Sequence, residues 1–386
     1  MRFVFYSLLF ISCHAIAQPL RDLNYQYLYS GESPVMITLK PSRAGNQWIT
    51  AFEFQLRDTT QNVDEYNLRW EVRSSLSDRD GQSVSGDSLV SIIERSRNGI
   101  VGTVAIPVSE PYKILVARVI NNPQKRLWYF YTLLEPKYPE DAYLVQNNVP
   151  IVRRYVRVSE PISFAENTTS VVSFYDDNFP AASPPFSEGA GRVSKGMRVD
   201  STFTLAGGQT LSPVKGLYLI QKDTNSTEGI AFRAEDDYPR LSKIESLADP
   251  LIYVCTKQEF ERIKAAKGDK RAFDKVILSV TGDADRAKVF MKNYFRRVEL
   301  ANTFFTSYKE GWKTDRGMIY IIFGPPDEVL RFVDREVWNY KEEIKASFEF
   351  VKSASVFDPA NYVLLRNKKY TQTWYEVIDL WRNARF

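Results

Sequence analysis

The spacing of apolar and turn residues changes once along this chain, near residue 242, and that change limits the folds the chain can adopt. Before it, short β-branched or alternating runs are separated by turn pairs such as Gly45-Asn46 and Asn98-Gly99, with no helical periodicity between them. Strands at this spacing are typical of antiparallel β-sandwiches. We therefore predict two β-sandwich domains, over residues 18–150 and 151–241, followed by a C-terminal α+β domain over residues 242–386.

Ten segments carry the strand pattern. The five in the first domain are Val35–Leu39, Trp48–Leu56, Leu68–Val72, Val101–Ile106 and Ile114–Val119. The five in the second domain are Arg153–Val158, Val171–Tyr175, Thr202–Leu205, Gly216–Gln221 and Gly229–Arg233. Residues 176–196 form a stretch rich in Pro, Ser, Ala and Gly that is too long for a simple turn. Two interpretations of it stay open: a disordered loop, or a partner-binding loop anchored by Phe179 and Phe186.

Helical signals begin after residue 242. Thr256 and Glu259 have the spacing of a capping box, and a helix is expected after Asp269. A longer helix carries apolar residues at spacings of three and four, namely Phe290, Tyr294, Val298, Ala301, Phe305 and Tyr308. The apolar run Met318–Phe323 is short and β-branched, which predicts a buried strand. Four more strands are predicted at Val329–Val333, Glu336–Tyr340, Ser347–Val351 and Tyr362–Leu365, before a final helix over Thr373–Arg385.

The first 17 residues have the pattern of a secretory signal peptide. One cationic residue precedes an apolar run, and Ala15 and Ala17 satisfy the small-x-small cleavage rule. Cys13 offers an alternative, since it lies where a lipidated cysteine would anchor the protein to a membrane. Both alternatives predict export, to the periplasm or to the periplasmic face of an outer membrane. Cleavage after Ala17 would leave Cys255 as the one cysteine, which its apolar setting predicts to be a buried thiol.

The only histidine, His14, falls inside that predicted leader. An exported chain without histidine lacks Ser-His-Asp and Cys-His catalytic arrangements and almost every zinc or haem site. Charges nearly balance, with 51 basic and 47 acidic residues, so nucleic acid is not the expected partner. We therefore expect no cofactor, no metal and no enzymatic activity.

One run of residues carries a specific motif. Gly311-Trp312-Lys313-Thr314-Asp315-Arg316-Gly317 precedes the apolar run, and Gly324-Pro325-Pro326-Asp327 follows it. The residue types predict structural roles: Gly311 in the left-handed position past a helix with Trp312 folded back on it, Asp315 accepting turn amides, Arg316 pairing with a carboxylate, and Gly317 entering a strand that Gly324 and Pro326 end.

This run resembles the signature of the GWxTD domain family, whose pattern is Gly-Trp-x-Thr-Asp, then Arg-Gly, a hydrophobic segment and a Gly-x-Pro-Asp turn. The matching residues are Gly311, Trp312, Thr314, Asp315, Arg316, Gly317, Gly324, Pro326 and Asp327. The resemblance covers about residues 242–386. It implies an exported protein of a Gram-negative bacterium and supplies no activity.

The expected role is that of a binding or scaffolding protein in a cell-envelope complex for outer-membrane protein assembly or secretion. Aromatic anchors and a basic rim on residues 262–271 would contact an acidic envelope protein. Two alternatives stay open. One is a carbohydrate-binding module, and the other is a hydrolase that would use Asp315 and Asp327. A six-residue strand would separate those carboxylates by roughly 20 Å, whereas working pairs lie within about 10 Å.

Overall fold

The computed structural model describes residues 18–109, 111–134, 137–164, 168–176, 178–188, 197–342 and 344–386. The predicted signal peptide and Cys13 lie outside these residues. Within them, no helix combines the length and apolar character needed to cross a membrane.

The first unit is a sandwich of two four-stranded antiparallel sheets, with strand orders β1-β2-β6-β5 and β4-β3-β7-β8. The strands are β1 Val35–Ala44, β2 Gln47–Leu56, β3 Tyr66–Arg73, β4 Gln82–Val84, β5 Val90–Arg95, β6 Gly99–Pro107, β7 Ile114–Asn121 and β8 Arg126–Leu133. Phe52, Phe54, Trp70 and Leu115 are buried between the sheets. All five strands predicted here are confirmed.

The second unit packs a three-stranded sheet, β10-β9-β12, against a five-stranded sheet, β11-β16-β15-β13-β14. The strands are β9 Leu144–Gln146, β10 Val149–Ile151, β11 Tyr155–Arg157, β12 Ser163–Phe164, β13 Ser170–Tyr175, β14 Ser201–Leu205, β15 Gly216–Gln221 and β16 Ile230–Glu235. The five predicted strands are present. The pairing is antiparallel except between β11 and β16. Because β9 pairs with β12, this unit begins before the predicted boundary at residue 150.

The third unit contains six helices and an antiparallel sheet of order β17-β18-β19-β20 among the residues described. The helices are α1 Ile244–Ala248, α2 Lys257–Ala265, α3 Lys270–Thr281, α4 Ala284–Phe305, α5 Asp315–Phe323 and α6 Thr371–Arg382, and the strands are β17 Glu328–Arg331, β18 Arg335–Tyr340, β19 Ala346–Lys352 and β20 Tyr362–Leu364. The predicted apolar stripe of α4 is buried except for Tyr308, which lies beyond the end of the helix.

The predicted strand Met318–Phe323 is wrong, because these residues belong to helix α5. Thr314 caps that helix by accepting the backbone N–H of Gly317, and Gly324 ends it with a φ of 84°. All six residues of the run are buried. A fully buried helix shows no amphipathic period, so a short apolar run cannot be distinguished from a buried strand by its pattern.

The capping box predicted at Thr256 and Glu259 is present, and it also joins α2 to the last helix. Arg382 of α6 donates two hydrogen bonds of 2.8 Å to the Glu259 carboxylate. These bonds lower the pKa of Glu259 from its ordinary value of 4.5 to about 2.

A pH titration of stability tests this contact. A depressed carboxyl pKa stabilises the folded state above pH 4.5, and the stabilisation disappears as pH falls from 4.5 toward 2. We expect the thermal midpoint of the wild type to fall more steeply through this window than that of Glu259→Gln, which has no carboxyl to protonate. Parallel pH profiles of the two proteins would contradict the pairing.

One continuous core joins the N-terminal segment, the first sandwich and the third unit. Tyr25 packs edge-on against Tyr131 of β8 at 5.5 Å, and its backbone N–H donates to the Val329 carbonyl at 2.9 Å. Tyr320 of α5 donates to the carbonyl of Tyr29 at 2.9 Å. The first residues of the described chain therefore complete the packing of its C-terminal unit.

Candidate functional site

The Gly-Trp pair lies against the end of α4. A Cβ on Gly311 would come within 2.1 Å of the Ala301 carbonyl oxygen, so only glycine fits this approach. Its N–H donates to the Tyr238 hydroxyl at 3.0 Å, and the N–H of Trp312 donates to the Asn302 side chain at 3.0 Å. Gly311 was predicted to be left-handed and to end the preceding helix, with Trp312 folded back on it. That prediction is wrong, because Gly311 begins a short 3₁₀ turn.

Thr314 and Gly317 close the first turn of α5. The Thr314 hydroxyl donates to the Gly311 carbonyl at 2.8 Å and accepts the Gly317 N–H at 3.0 Å. A Cβ on Gly317 would lie 1.9 Å from the same Gly311 carbonyl oxygen. Gly311 therefore lets its own turn touch the backbone of α4, and Gly317 lets the start of α5 touch the backbone of Gly311. Thr314 joins Gly311 to Gly317 by hydrogen bonds.

The prediction that Asp315 accepts amides of its own turn is wrong. Asp315 bonds instead to β20 and to the residues that follow it. Its carboxylate accepts the Leu364 N–H at 2.8 Å and two hydrogen bonds from Arg366, at 2.6 and 3.3 Å. Both side chains are about 90% buried, with 9% and 10% of their surface exposed. A forked, buried pair of this kind fixes orientation as well as distance.

The long loop of the second unit crosses over this motif. Its Ala182 N–H donates to the carbonyl of Lys313 at 3.0 Å, and the Lys313 ammonium donates to Asn178 at 2.6 Å. Phe179 packs edge-on against Tyr308 at 5.1 Å, while Phe186 lies 5.5 Å from Tyr375. In residues 178–188, Phe179 and Phe186 therefore pack within the chain itself and are not free anchors for a partner. Residues 177 and 189–196 of the predicted loop lie outside the described residues.

Arg316 belongs to a buried ionic group with Arg331 and Glu336. Glu336 Oε2 lies 3.9 Å from Arg316 and 3.5 Å from Arg331, and it accepts the Tyr29 hydroxyl at 3.0 Å. Its other oxygen accepts the Trp338 indole N–H at 2.6 Å. Burial raises the pKa of Tyr29, and the Glu336 charge adds to that effect, so the phenol stays a donor. The predicted pairing of Arg316 with a carboxylate is confirmed.

The remaining motif residues lie at the far end of α5. The carbonyl of Gly324 accepts the Tyr340 hydroxyl at 2.8 Å, Pro326 is buried, and Asp327 accepts the Lys341 N–H at 2.5 Å. A nine-residue helix rises about 13 Å, so Asp315 and Asp327 stand at opposite ends of α5. Their separation was estimated from a strand over Met318–Phe323, and that segment is a helix. The helix also keeps the two carboxylates apart.

Three side chains that bond to Asp315 or Arg316 were not predicted: Tyr29, Glu336 and Arg366. Tyr29 and Arg366 are distant in sequence and carry no local signal. Glu336 does carry a local signal, because strand alternation places it on the same face as the buried Trp338 and Tyr340. A carboxylate on an apolar face indicates a buried cation as partner.

The described residues offer little reactive chemistry. They contain no group of three or more His, Cys, Asp or Glu side chains that could hold a metal ion. Burial raises the pKa of Cys255 to about 12, and nearby Glu259 adds to it, so the thiol stays protonated.

The fold and this site define a class: two β-sandwich units joined to an α+β unit whose signature motif is buried where the units meet. Residues 216–383 match the model of the GWxTD domain family. The C-terminal part of the chain is therefore a GWxTD domain, as the motif predicted. The match begins at β15, inside the second β unit. No curated protein matches the chain.

Three solved structures are partly similar to the chain. A chain from the complex of human cytomegalovirus protein US2 with an MHC class I molecule is 10% identical, with 26% of this chain and 97% of that chain covered and a TM-score of 0.20. A chain from the complex of Dpr11 with DIP-gamma is 11% identical, with 52% and 96% covered and a TM-score of 0.18. The tandem immunoglobulin domains of titin are 9% identical, with 52% and 96% covered and a TM-score of 0.16. Scores this low support no conclusion about fold or function.

Proposed function

We propose that this chain is a non-enzymatic binding and scaffolding component of a cell-envelope complex for outer-membrane protein assembly or secretion. The observation that carries the proposal is that the side chains of the motif bond to the chain's own residues. Lys313 bonds to Ala182 and Asn178 of the second unit, and Arg316 bonds to Tyr29 of the N-terminal segment. A motif used in this way sets the relative position of the three units, which is what a scaffold needs.

A basic rim on α2 and α3 supports an acidic protein partner. The five cations of this rim, on the two helices and the turn between them, are all exposed: Arg262, Lys264, Lys267, Lys270 and Arg271. Lys264 is paired with Asp249 and Lys270 with Asp274. The other three extend the positive charge of this face into solvent. An exposed rim of one sign steers a partner of opposite charge and raises its association rate.

Affinity isolation from a detergent-solubilised envelope tests the proposal. We expect a membrane protein to co-purify in fixed ratio with the wild type, and its recovery to fall at least about fivefold with the double variant Arg262→Glu and Arg271→Glu, because steering is lost. The matched control is Lys113→Glu with Arg126→Glu, which makes the same charge change at exposed positions of the first sandwich.

Equal recovery with both double variants would contradict the role of the rim. Recovery of no envelope protein by the wild type would contradict the scaffold. The periplasmic or outer-membrane location belongs to the same proposal and rests on the leader sequence. Mass spectrometry of the mature N-terminus distinguishes cleavage after Ala17 from a lipid on Cys13.

The two alternative functions have less support. A carbohydrate-binding sandwich needs a row of exposed aromatic rings. Among the described residues, the exposed aromatic side chains are Phe203 and Tyr375, which lie in different units. A hydrolase would need Asp315 free to act, whereas its carboxylate already accepts three hydrogen bonds.

A further inference from the structure

A cavity of about 550 Å³ lies where the three units meet. Its walls come from β1 of the first unit, from residues 152–155 of the second, and from the third unit through Arg316, Arg331 and Tyr362. Small-molecule sites have volumes of roughly 300 to 1,000 Å³ and are common where domains meet. The motif and the proposed scaffold role leave this cavity unexplained.

The charges that line the cavity are mainly positive. Among the described residues, six basic and three acidic side chains line it. The basic ones are Lys40, Arg153, Arg154, Arg316, Arg331 and Lys352, and the acidic ones are Glu53, Glu140 and Asp358. Glu336, which Arg316 and Arg331 share, and Glu160, which pairs with Arg153, bring the acidic groups to five against six basic ones. The remaining positive charge is one that an anion would balance.

Three buried donors of this cluster make no hydrogen bond, although Arg331 Nε stands 3.5 Å from Glu336 Oε2. Lys40 Nζ, Arg154 Nη1 and Arg331 Nε make no hydrogen bond to the described chain. The Lys40 side chain is only 3% exposed, and it lies 3.2 Å from Glu140 without hydrogen-bond geometry. Arg154 stands 3.3 Å from Glu140 and 3.7 Å from Asp358. Glu140 Oε2 also makes no hydrogen bond, so Lys40 and Glu140 face each other as an ion pair. Buried polar groups are almost always satisfied in native proteins, and Arg154 Nη1 is the donor that a bound acceptor would satisfy.

The guanidinium groups are held in place before any ligand binds. Arg316 lies over the ring of Tyr362 and Arg331 over the ring of Tyr131, each at 4.4 Å from the ring centre. Their side chains keep 15% and 20% of their surface exposed although they lie deep between the units, at the cavity wall. A stacked guanidinium matches the geometry of carboxylate and phosphate oxygens. Arg316 also donates to the Tyr29 hydroxyl, and both arginines share Glu336.

We propose that this cavity binds a small organic oxyanion, a molecule with a carboxylate or phosphate group on a polar body. The arginines and Lys40 would hold the oxyanion group. The remaining volume, with Tyr138 and Tyr155 in its lining, would take the body. The proposal does not depend on the envelope role, since it concerns the interior of the chain and not its surface.

Calorimetric titration of the purified full chain tests it with four probes: glucose 6-phosphate, glucuronate, inorganic phosphate and glucose. We expect saturable binding of one or both charged sugars and none of glucose, which has the same body without the charge. The charged sugar that binds identifies the preferred oxyanion group. Arg154→Gln is expected to weaken that binding at least about tenfold, because a buried charge-assisted donor is lost.

Two further variants make the test specific. Ala360→Trp fills the cavity from an exposed position without removing a charge, and it should weaken binding to a similar extent even if Arg154→Gln fails to fold. Lys257→Gln removes a cation that is 91% exposed and remote from the lining, so it should bind like the wild type. The proposal is overturned if neither charged sugar binds, if glucose or bare phosphate binds as tightly, or if Ala360→Trp binds normally.

Discussion

Replacing Gly317 with alanine is expected to destabilise the protein by about 3 kcal/mol or more, enough to unfold the GWxTD domain in a chain of ordinary stability. In a helix interior this substitution is normally favourable, by about 0.5 to 1 kcal/mol. Here the added Cβ would lie 1.9 Å from the carbonyl oxygen of Gly311, and neither backbone segment can move away without breaking the Thr314 cap.

Chemical denaturation followed by tryptophan fluorescence measures this effect. Gly31→Ala is the matched control, because its Cβ would meet only the flexible end of Leu300, at 3.0 Å. The control should lose less than about 1 kcal/mol. Equal stability of Gly317→Ala and the wild type would mean that the two backbone segments are not in contact.

Glu336→Ala is expected to cost about 3 to 5 kcal/mol, because it leaves Arg316 and Arg331 buried without their shared carboxylate. It also removes the acceptor of the Tyr29 hydroxyl and of the Trp338 indole. Glu336 is fully buried, with none of its surface exposed. The loss therefore reflects uncompensated charge as well as broken hydrogen bonds.

The control for this variant is Glu349→Ala on the neighbouring strand. Glu349 also pairs with an arginine, Arg335 at 3.5 Å, but it is 43% exposed. Exposed pairs contribute about 0 to 1 kcal/mol, so this variant should unfold close to the wild type. If the two glutamate variants lose the same stability, the buried ionic group does not support the fold.

The β-sheets could be predicted from sequence because each strand carries its own local signal. Gly216–Gln221 was predicted with the bounds it has in the structure, since an apolar run followed by turn residues defines both ends. Helix α5 was missed because burial on all sides removes the helical period. The N-cap Thr314 and the acidic first turn at Asp315 were helix signals in the sequence.

The contacts of the motif could not be predicted in the same way. Asp315 meets Arg366 across 51 residues, and Arg316 meets Tyr29 across 287. Such pairs depend on how the units pack, and no local pattern encodes that packing. The motif predicted structural roles for Gly311 and Gly317, but it did not predict that each glycine allows direct contact with a backbone carbonyl.

The central claim is that the motif holds segments of the chain together from inside. Hydrogen exchange of Asp315→Ala tests this claim most directly. The backbone N–H of Leu364 bonds to Asp315, and that of Ala182 bonds to Lys313. We predict faster exchange at both amides in the variant, while amides of β2 and β6 in the first sandwich keep the wild-type rate. Unchanged exchange at Leu364 and Ala182, together with loss of turnover of an envelope substrate, would show that Asp315 serves chemistry and would contradict the account.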